Sequence, residues 1–445
     1  MKFFILKRRR QRCKHLFFSV IIVIFTCYLY LPNLLIGEGV VKHTSVHHRN
    51  LTKHVIIKNS FIQSQLSDII SAKNYESTIN NYHFIENILQ EDHLNDKLKK
   101  VSSKSDKKYV YIFRKFFVIV IQVHSRLNYL RELIKSLKEV KYIEQALVIF
   151  SHDIYDEEMN QLVKSIDFCA TLQIFYPFSL QLYSNKFPGD DPNDCPRAIT
   201  KEKAKQLKCN NADHPDTFGH YRESKIVQIK HHWFWKLNYI FDKLSLTSRM
   251  ENLHVLLLEE DHYLFQDSIH IIHQLTDKIL SDVDVVSLGY FKGKLQLFDK
   301  KEIHLWSKGY WWASSNNIGI LVSRKFFEQI KNCSKMFCEY DDYNWDWSLQ
   351  QVIQKCFKDV VVSLYPTFSR VAHLGECGTH FKSKACDPKV KLGEMKKKYE
   401  ESKSNFFPRD LNFSGKIFGM RKIKKSNGGW SDPRDHELCK SFVLK

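Results

Sequence analysis

Glu259-Glu260-Asp261-His262 follows the apolar run Leu256-Leu257-Leu258. Three successive carboxylates at the end of a buried strand repel one another unless a divalent cation and the hydroxyls of a ligand absorb the charge. Hard oxygen ligands suit Mg²⁺ or Mn²⁺, and an imidazole shifts the preference toward Mn²⁺. A solvated acidic turn is the bland alternative. The chain has neither GxxxxGK[ST] nor GxGxxG, so a P-loop or a Rossmann dinucleotide site lacks support.

A second constellation is Tyr340-Asp341-Asp342-Tyr343-Asn344-Trp345-Asp346-Trp347. Aromatic faces cover apolar sugar C–H surfaces while carboxylates accept hydroxyl protons, so the pattern suits carbohydrate; an aromatic core segment with surface acids is the alternative. Asp346, between two tryptophans, is expected to be partly desolvated, which raises its basicity and suits a general base. In Lys230-His231-His232-Trp233-Phe234-Trp235-Lys236, basic and aromatic groups interleave. Nucleic acid could use such a surface, a nucleotide phosphate is the more natural partner in an exported protein, and Trp233 and Trp235 read most simply as packing. His373, beside Cys377, reads by default as a satisfied structural histidine.

These residues need elements to position them. FFVIVIQVHSR, ALVIFSHD, HVLLLEED and VDVVSLG are apolar runs, the first three ending in polar residues, as fully buried parallel strands do. YLRELIKSLKEV, MNQLVKSIDF and SKIVQIKHHWFWKLNYIFDKL read as helices between them. Alternating strands and helices predict right-handed βαβ units in a doubly wound, mainly parallel α/β sheet. Ligands of such sheets sit beyond the carboxyl ends of the strands, here QVHSR, SHD and EED. From about Trp306 the mixture of aromatics, cysteines and short segments suggests a crosslinked part.

The chain has 445 residues, 43% hydrophobic and 26% charged, ordinary globular values that exclude a wholly disordered or collagen-like protein. Its net charge of +19 is inflated by seven cations within residues 1–15. Residues 16–37 carry no charge and suffice to cross a bilayer as an uncleaved signal-anchor, with the basic tail cytosolic. A polar stem over 38–108 then precedes a lumenal domain over 109–445. Nine of the 11 cysteines fall in that domain, none in a C-x-x-C pair, so disulfides are expected, with Cys169 in an apolar context as a buried thiol.

The blocks QVHSR, FYPFSLQLY, FPGDDPNDCPR, FGHYRESK, KHHWFWKL, LEEDHY, CEYDDYNWDWSLQ, HLGECG and NGGWSDPRDHELCKS together resemble the N-acetylglucosaminyltransferase II family, over roughly Phe116 to Ser441. That resemblance implies a GT-A nucleotide-sugar transferase fold on a single-pass type II anchor in the Golgi membrane. It implies UDP-GlcNAc as donor, Mn²⁺ as cofactor, and inverting transfer to the 2-hydroxyl of the α-1,6-linked mannose of an N-glycan. By matching motifs, Gln122, Val123, His124, Ser125, Arg126 and Asp153 would hold the uridine, and Gln228, Ile229, Lys230, His231 and His232 would add donor contacts. Glu260 would meet ribose or sugar hydroxyls, Asp261 and His373 would ligate Mn²⁺, and Asp346 would be the catalytic base. The implied disulfides are Cys195–Cys209, Cys333–Cys356, Cys338–Cys439 and Cys377–Cys386. Asp216, His220, Arg222 and Tyr343 to Trp345 are acceptor-side candidates.

The chain departs from the family pattern in lacking a cysteine pair before VVSLG. Lys292 or Lys294 stands where a donor-binding arginine is expected, and an ammonium offers no bidentate geometry. A related β-1,2-transferase with another mannose acceptor and a lumenal sugar-binding pseudoenzyme are the competing readings. Nucleic-acid binding is the weakest, since seven of the nineteen net charges belong to the N-terminal basic tail.

Overall fold

The computed structural model describes residues 117–244, 246–278, 283–290, 304–375, 387–418 and 425–443. The tail, span and stem, Lys292, Lys294 and the Cys377–Cys386 pair lie outside them. Among the described residues no helix is long and apolar enough to cross a membrane.

The four expected strands are present: β1 (Phe117–Val123), β2 (Ala146–His152), β4 (His254–Glu259) and β6 (Val285–Gly289). With β3 (Ala170–Phe175), β7 (Leu305–Tyr310), β8 (Ile318–Ser323), β9 (Val362–Pro366) and β11 (Asn412–Phe418) they form one nine-stranded sheet of order β11-β7-β9-β6-β8-β4-β1-β2-β3. Six strands run one way, while β7, β8 and β11 oppose them. The sheet is thus mixed and mostly parallel. The crosslinked part expected from about Trp306 shares this sheet, because β8 inserts between β4 and β6.

Both faces of the sheet are covered, which is why its central strands are apolar without alternation. Val118 and Val120 join one core cluster and Ile119 and Ile121 the other. The second cluster takes α1 (Leu127–Glu139), α2 (Glu157–Lys164) and a later helix at Ser268–Lys278. The first takes α3 (Ser224–Asn238) with α4 (Arg324–Asn332) and α5 (Trp345–Lys355). Helix α2 ends at Lys164, short of the predicted IDF, and Asp156 caps it by accepting from the Met159 N–H at 2.9 Å.

Register delivers the site. Gln122 lies opposite Ser151 on one side and Glu259 on the other, so β1, β2 and β4 end together. A ribbon of β5 (His262–Leu264) and β10 (Val371–His373) pairs His262 with His373 and rests on an aromatic cluster that includes Tyr263, Phe265, Phe368 and Phe406. Three of the four expected disulfides are formed, Cys195–Cys209, Cys333–Cys356 and Cys338–Cys439, and Cys169 is a buried thiol. The C-terminal helix α6 (Pro433–Ser441) carries Cys439 back to the Cys338 segment.

Candidate active site

Asp153 sits one residue beyond β2, its N–H donating to Val123 O at 3.2 Å. Its carboxylate is buried and faces His124 Nδ1 at 2.6 Å, Gln228 Nε2 at 3.2 Å and His232 Nδ1 at 3.6 Å. Burial alone would raise its pKa, but the hydrogen bond to His124 and the nearby His232 ring hold it well below the usual carboxylate range. The His124 ring is half exposed at the crevice mouth, and this hydrogen bond raises its pKa. The other His232 nitrogen meets Ser151 Oγ at 2.8 Å.

The acidic turn separates its three carboxylates by function. Glu260, buried, accepts from the His124 N–H at 2.7 Å, the Arg126 N–H at 3.3 Å and Arg126 Nε at 2.7 Å, so it ties β4 to the loop after β1. Asp261, also buried, turns Oδ2 to Arg126 Nη1 at 2.7 Å and His373 Nε2 at 3.2 Å. Its Oδ1 is buried with no hydrogen-bond partner among the described residues. Glu259 lies half-buried, with its own N–H donating to His262 Nδ1 at 3.1 Å.

Ligand atoms of Glu259, Asp261 and His262 lie within 4.8 Å of one another, and His373 adjoins Asp261. A buried carboxylate oxygen left without a donor, beside two imidazoles, is what an oxygen- and nitrogen-binding divalent cation satisfies. The residues present therefore fit a metal ion. Gly375 makes room for them: a Cβ there would lie 2.1 Å from Asp261 Oδ2. Beneath the turn, buried Lys236 donates to Gln122 Oε1; burial brings its pKa down to about 7 against the opposing pull of Glu259 and Asp153. The acidic run was legible in the sequence, whereas Lys236 was read only as part of a basic-aromatic block suited to a nucleotide phosphate, and its contact with Gln122 was missed.

Asp346 stands in the first turn of α5. Its Oδ1 accepts from the Trp347 N–H and its Oδ2 from Asn317 Nδ2, both at 2.8 Å. Burial raises its pKa to about 7, with the negative charges of Asp342 and Glu259 acting in the same sense. A carboxylate so tuned can take a proton at neutral pH. Asn317, which has no motif around it, was missed in the sequence.

Not every expected residue joins this crevice. Gln228 and His232, one helical turn apart on α3, meet Asp153, while Ile229 packs on the core. His231 faces Asp435 at 2.9 Å, and the Lys230 ammonium reaches the carbonyls of Tyr340 and Asp342. Arg222 is buried and spent on Asp435, Asp194 and the carbonyls of Pro188 and Gly189. Asp216 organises a turn, accepting from the N–H groups of Phe218, His220 and Gly429. The N–H of Asn344 donates to Asp342, and Trp345 stacks on Trp233 with ring centroids 4.4 Å apart. His220, Tyr343 and Asn344 are acceptor candidates that stay partly exposed.

A mostly parallel α/β sheet with a metal-fitting acidic turn and a desolvated carboxylate at its carboxyl edge defines a group-transfer enzyme of the nucleotide-sugar type. The family model for N-acetylglucosaminyltransferase II (MGAT2) matches residues 91–439, and the chain belongs to that family. It is 42% identical over 333 residues to the mouse alpha-1,6-mannosyl-glycoprotein 2-beta-N-acetylglucosaminyltransferase, covering 73% of this chain and 74% of that one. It is 35% identical over 333 residues, with the same coverage, to the Arabidopsis thaliana protein of that name. The solved apo structure of mouse xyloside xylosyltransferase 1 aligns at TM-score 0.27 and 10% identity over 55% of this chain and 78% of that one, too loosely to carry an argument. The chain is thus a β-N-acetylglucosaminyltransferase of N-glycan processing.

Proposed function

We propose that this enzyme moves GlcNAc from UDP-GlcNAc, with inversion, to the 2-hydroxyl of the α-1,6-linked mannose of N-glycans. It works in the Golgi lumen, on a GT-A fold held by a type II signal-anchor over residues 16–37 and a stem over 38–108. The observation that carries the reading is Asp346: a carboxylate with a pKa near 7, close enough to the acidic turn to feel the charge of Glu259. Inverting transfer needs one base on the acceptor side and no protein nucleophile. The mouse and Arabidopsis thaliana relatives are named for the alpha-1,6-mannosyl acceptor, which supports this arm.

Asp346 accepts the proton of the attacking hydroxyl, while Asn317 and the Trp347 N–H fix the direction its oxygens face. Asp153, held ionised by His124 and His232, accepts from the uracil N3–H. Arg126, whose charge is balanced by Glu260 and Asp261, lies where a diphosphate would pass. Asp261 and His373 would hold Mn²⁺, with Glu259 and His262 beside them. A bound ion would supply positive charge to offset the negative charge developing on the departing UDP.

The test is UDP release by the purified protein with UDP-GlcNAc, Mn²⁺ and an N-glycan already bearing GlcNAc on its α-1,3 arm, with and without chelator. Metal-dependent transfer lost by about 10² to 10⁴-fold in Asp346→Asn is expected. Glycan and UDP binding without transfer in the wild type would leave a sugar-binding protein, and preference for a different mannosyl acceptor would overturn the arm assignment.

A further inference from the structure

The turn that presents Asp346 is gripped from beneath by a residue the reaction does not otherwise use. Lys230 is wholly buried on α3, and its ammonium donates to Asp342 O at 2.9 Å and Tyr340 O at 3.2 Å. It lies 4.1 Å from the ring centroid of Trp430 and 5.1 Å from that of Phe337. Burial pulls the pKa of this amine well below its usual value against the opposing pull of Asp342, Asp341 and Asp435, and the carbonyls and ring faces supply the partners of its N–H groups. The carbonyls it holds belong to an ordered turn. The Asp342 carboxylate accepts from the N–H and Nδ2 of both Asn344 and Asn427, at 2.9 to 3.0 Å. Ser348 Oγ donates to Asp342 O at 3.1 Å, stitching the turn to the first residues of α5. Gln228 and His232 point to Asp153 from one side of α3, and Lys230, between them in sequence, points to the base-bearing turn from another. One helix therefore sets both halves of the crevice.

We propose that Lys230 is a positioning residue for the Asp346 carboxylate, acting through the 340–344 turn, and that it does not contact the donor. This rests on Asp346 being the base. Fixing an oxygen against an attacking hydroxyl matters because a displacement of about 1 Å costs roughly 10²-fold in rate.

Lys230→Met is assayed beside the wild type for kcat, KM for UDP-GlcNAc, and the Kd of UDP in saturating Mn²⁺. The expected result is a fall in kcat of about tenfold or more with KM and Kd within about twofold, since the lost interaction serves the transition state and not donor binding. A tenfold weaker UDP Kd with kcat near wild type would place the ammonium at the donor and overturn the proposal, as would no change in either. If Lys230→Met shows no cooperative melt, Asn427→Ala decides, because it removes one amide donor to the Asp342 carboxylate while the Asn427 N–H and both Asn344 donors stay in place. It should show the same split between kcat and Kd, and an unchanged kcat would overturn the proposal. Asp346→Asn in the same series separates the two readings: retained turnover there would remove the base itself, whatever the Lys230 arms show.

Discussion

Asp346 shows how one burial decides an operating pH. Its pKa near 7 comes first from desolvation, with the charges of Asp342 and Glu259 adding to it. A general base works only when ionised, so kcat should rise with pH through an acid limb. A bound cation nearby would lower the limb, placing it at or below about 7. The Asn317 hydrogen bond favours the charged form, so Asn317→Ala should move the limb upward in a kcat–pH profile; a downward shift would contradict this geometry. Linkage gives the stability sign. The native state holds this proton more tightly than the unfolded chain, so stability falls as pH rises from about 4 to about 7, and the loss persists above. Asp346→Asn should accordingly lose turnover at pH 7.5 without lowering Tm. Asp346 and Asp261 stand out in the sequence by their neighbours, whereas His373 reads as structural there and only the family resemblance points to it. The directions of Lys230 and His231 were not legible, since a helix turns successive side chains about 100° apart and a contiguous block cannot face one ligand.

The element that completes the metal-fitting turn is the β5–β10 ribbon, which pairs His262 with His373 and sends the chain past Asp261. Leu374 N–H donates to Asp261 O at 2.8 Å, and the next residue, Gly375, passes too close for any side chain. Gly375→Ala should push Asp261 Oδ2 aside and weaken divalent-cation binding by about tenfold or more, read by metal titration, while the fold melts near the wild-type temperature; unchanged metal affinity would mean that Asp261 is not a ligand. Such a ribbon of three-residue strands has no periodicity to read in a sequence. The long central strands β1, β2 and β4 were legible because burial on both faces leaves an unbroken apolar run. β3 was overlooked because Thr171 and Gln173 interrupt it, and β7 because LWSKGY is half exposed.

Across the whole molecule, strands from before and after residue 300 alternate in one sheet, so the aromatic, cysteine-rich C-terminal part is an extension of the fold that binds around α3. Its tie is Cys338–Cys439, which closes a loop of 101 residues. Losing a crosslink over so long a loop costs about 2–5 kcal/mol. Cys338→Ser with Cys439→Ser should therefore lower Tm and kcat together, while UDP binding at low temperature is retained; loss of UDP binding first would show the clip supporting the strand ends instead. Helix α6 also brings Asp435 to Arg222 and His231, and Trp430 donates from Nε1 to Cys338 O at 2.7 Å. The base-bearing turn is thus bracketed by residues made after every other described element. During biosynthesis the nucleotide-side strands can pair while the chain is still emerging, but the acceptor side must wait for Trp430, Asp435 and Cys439. A premature stop codon shortly before Trp430 would therefore leave Asp346 on a turn whose last supports are never made.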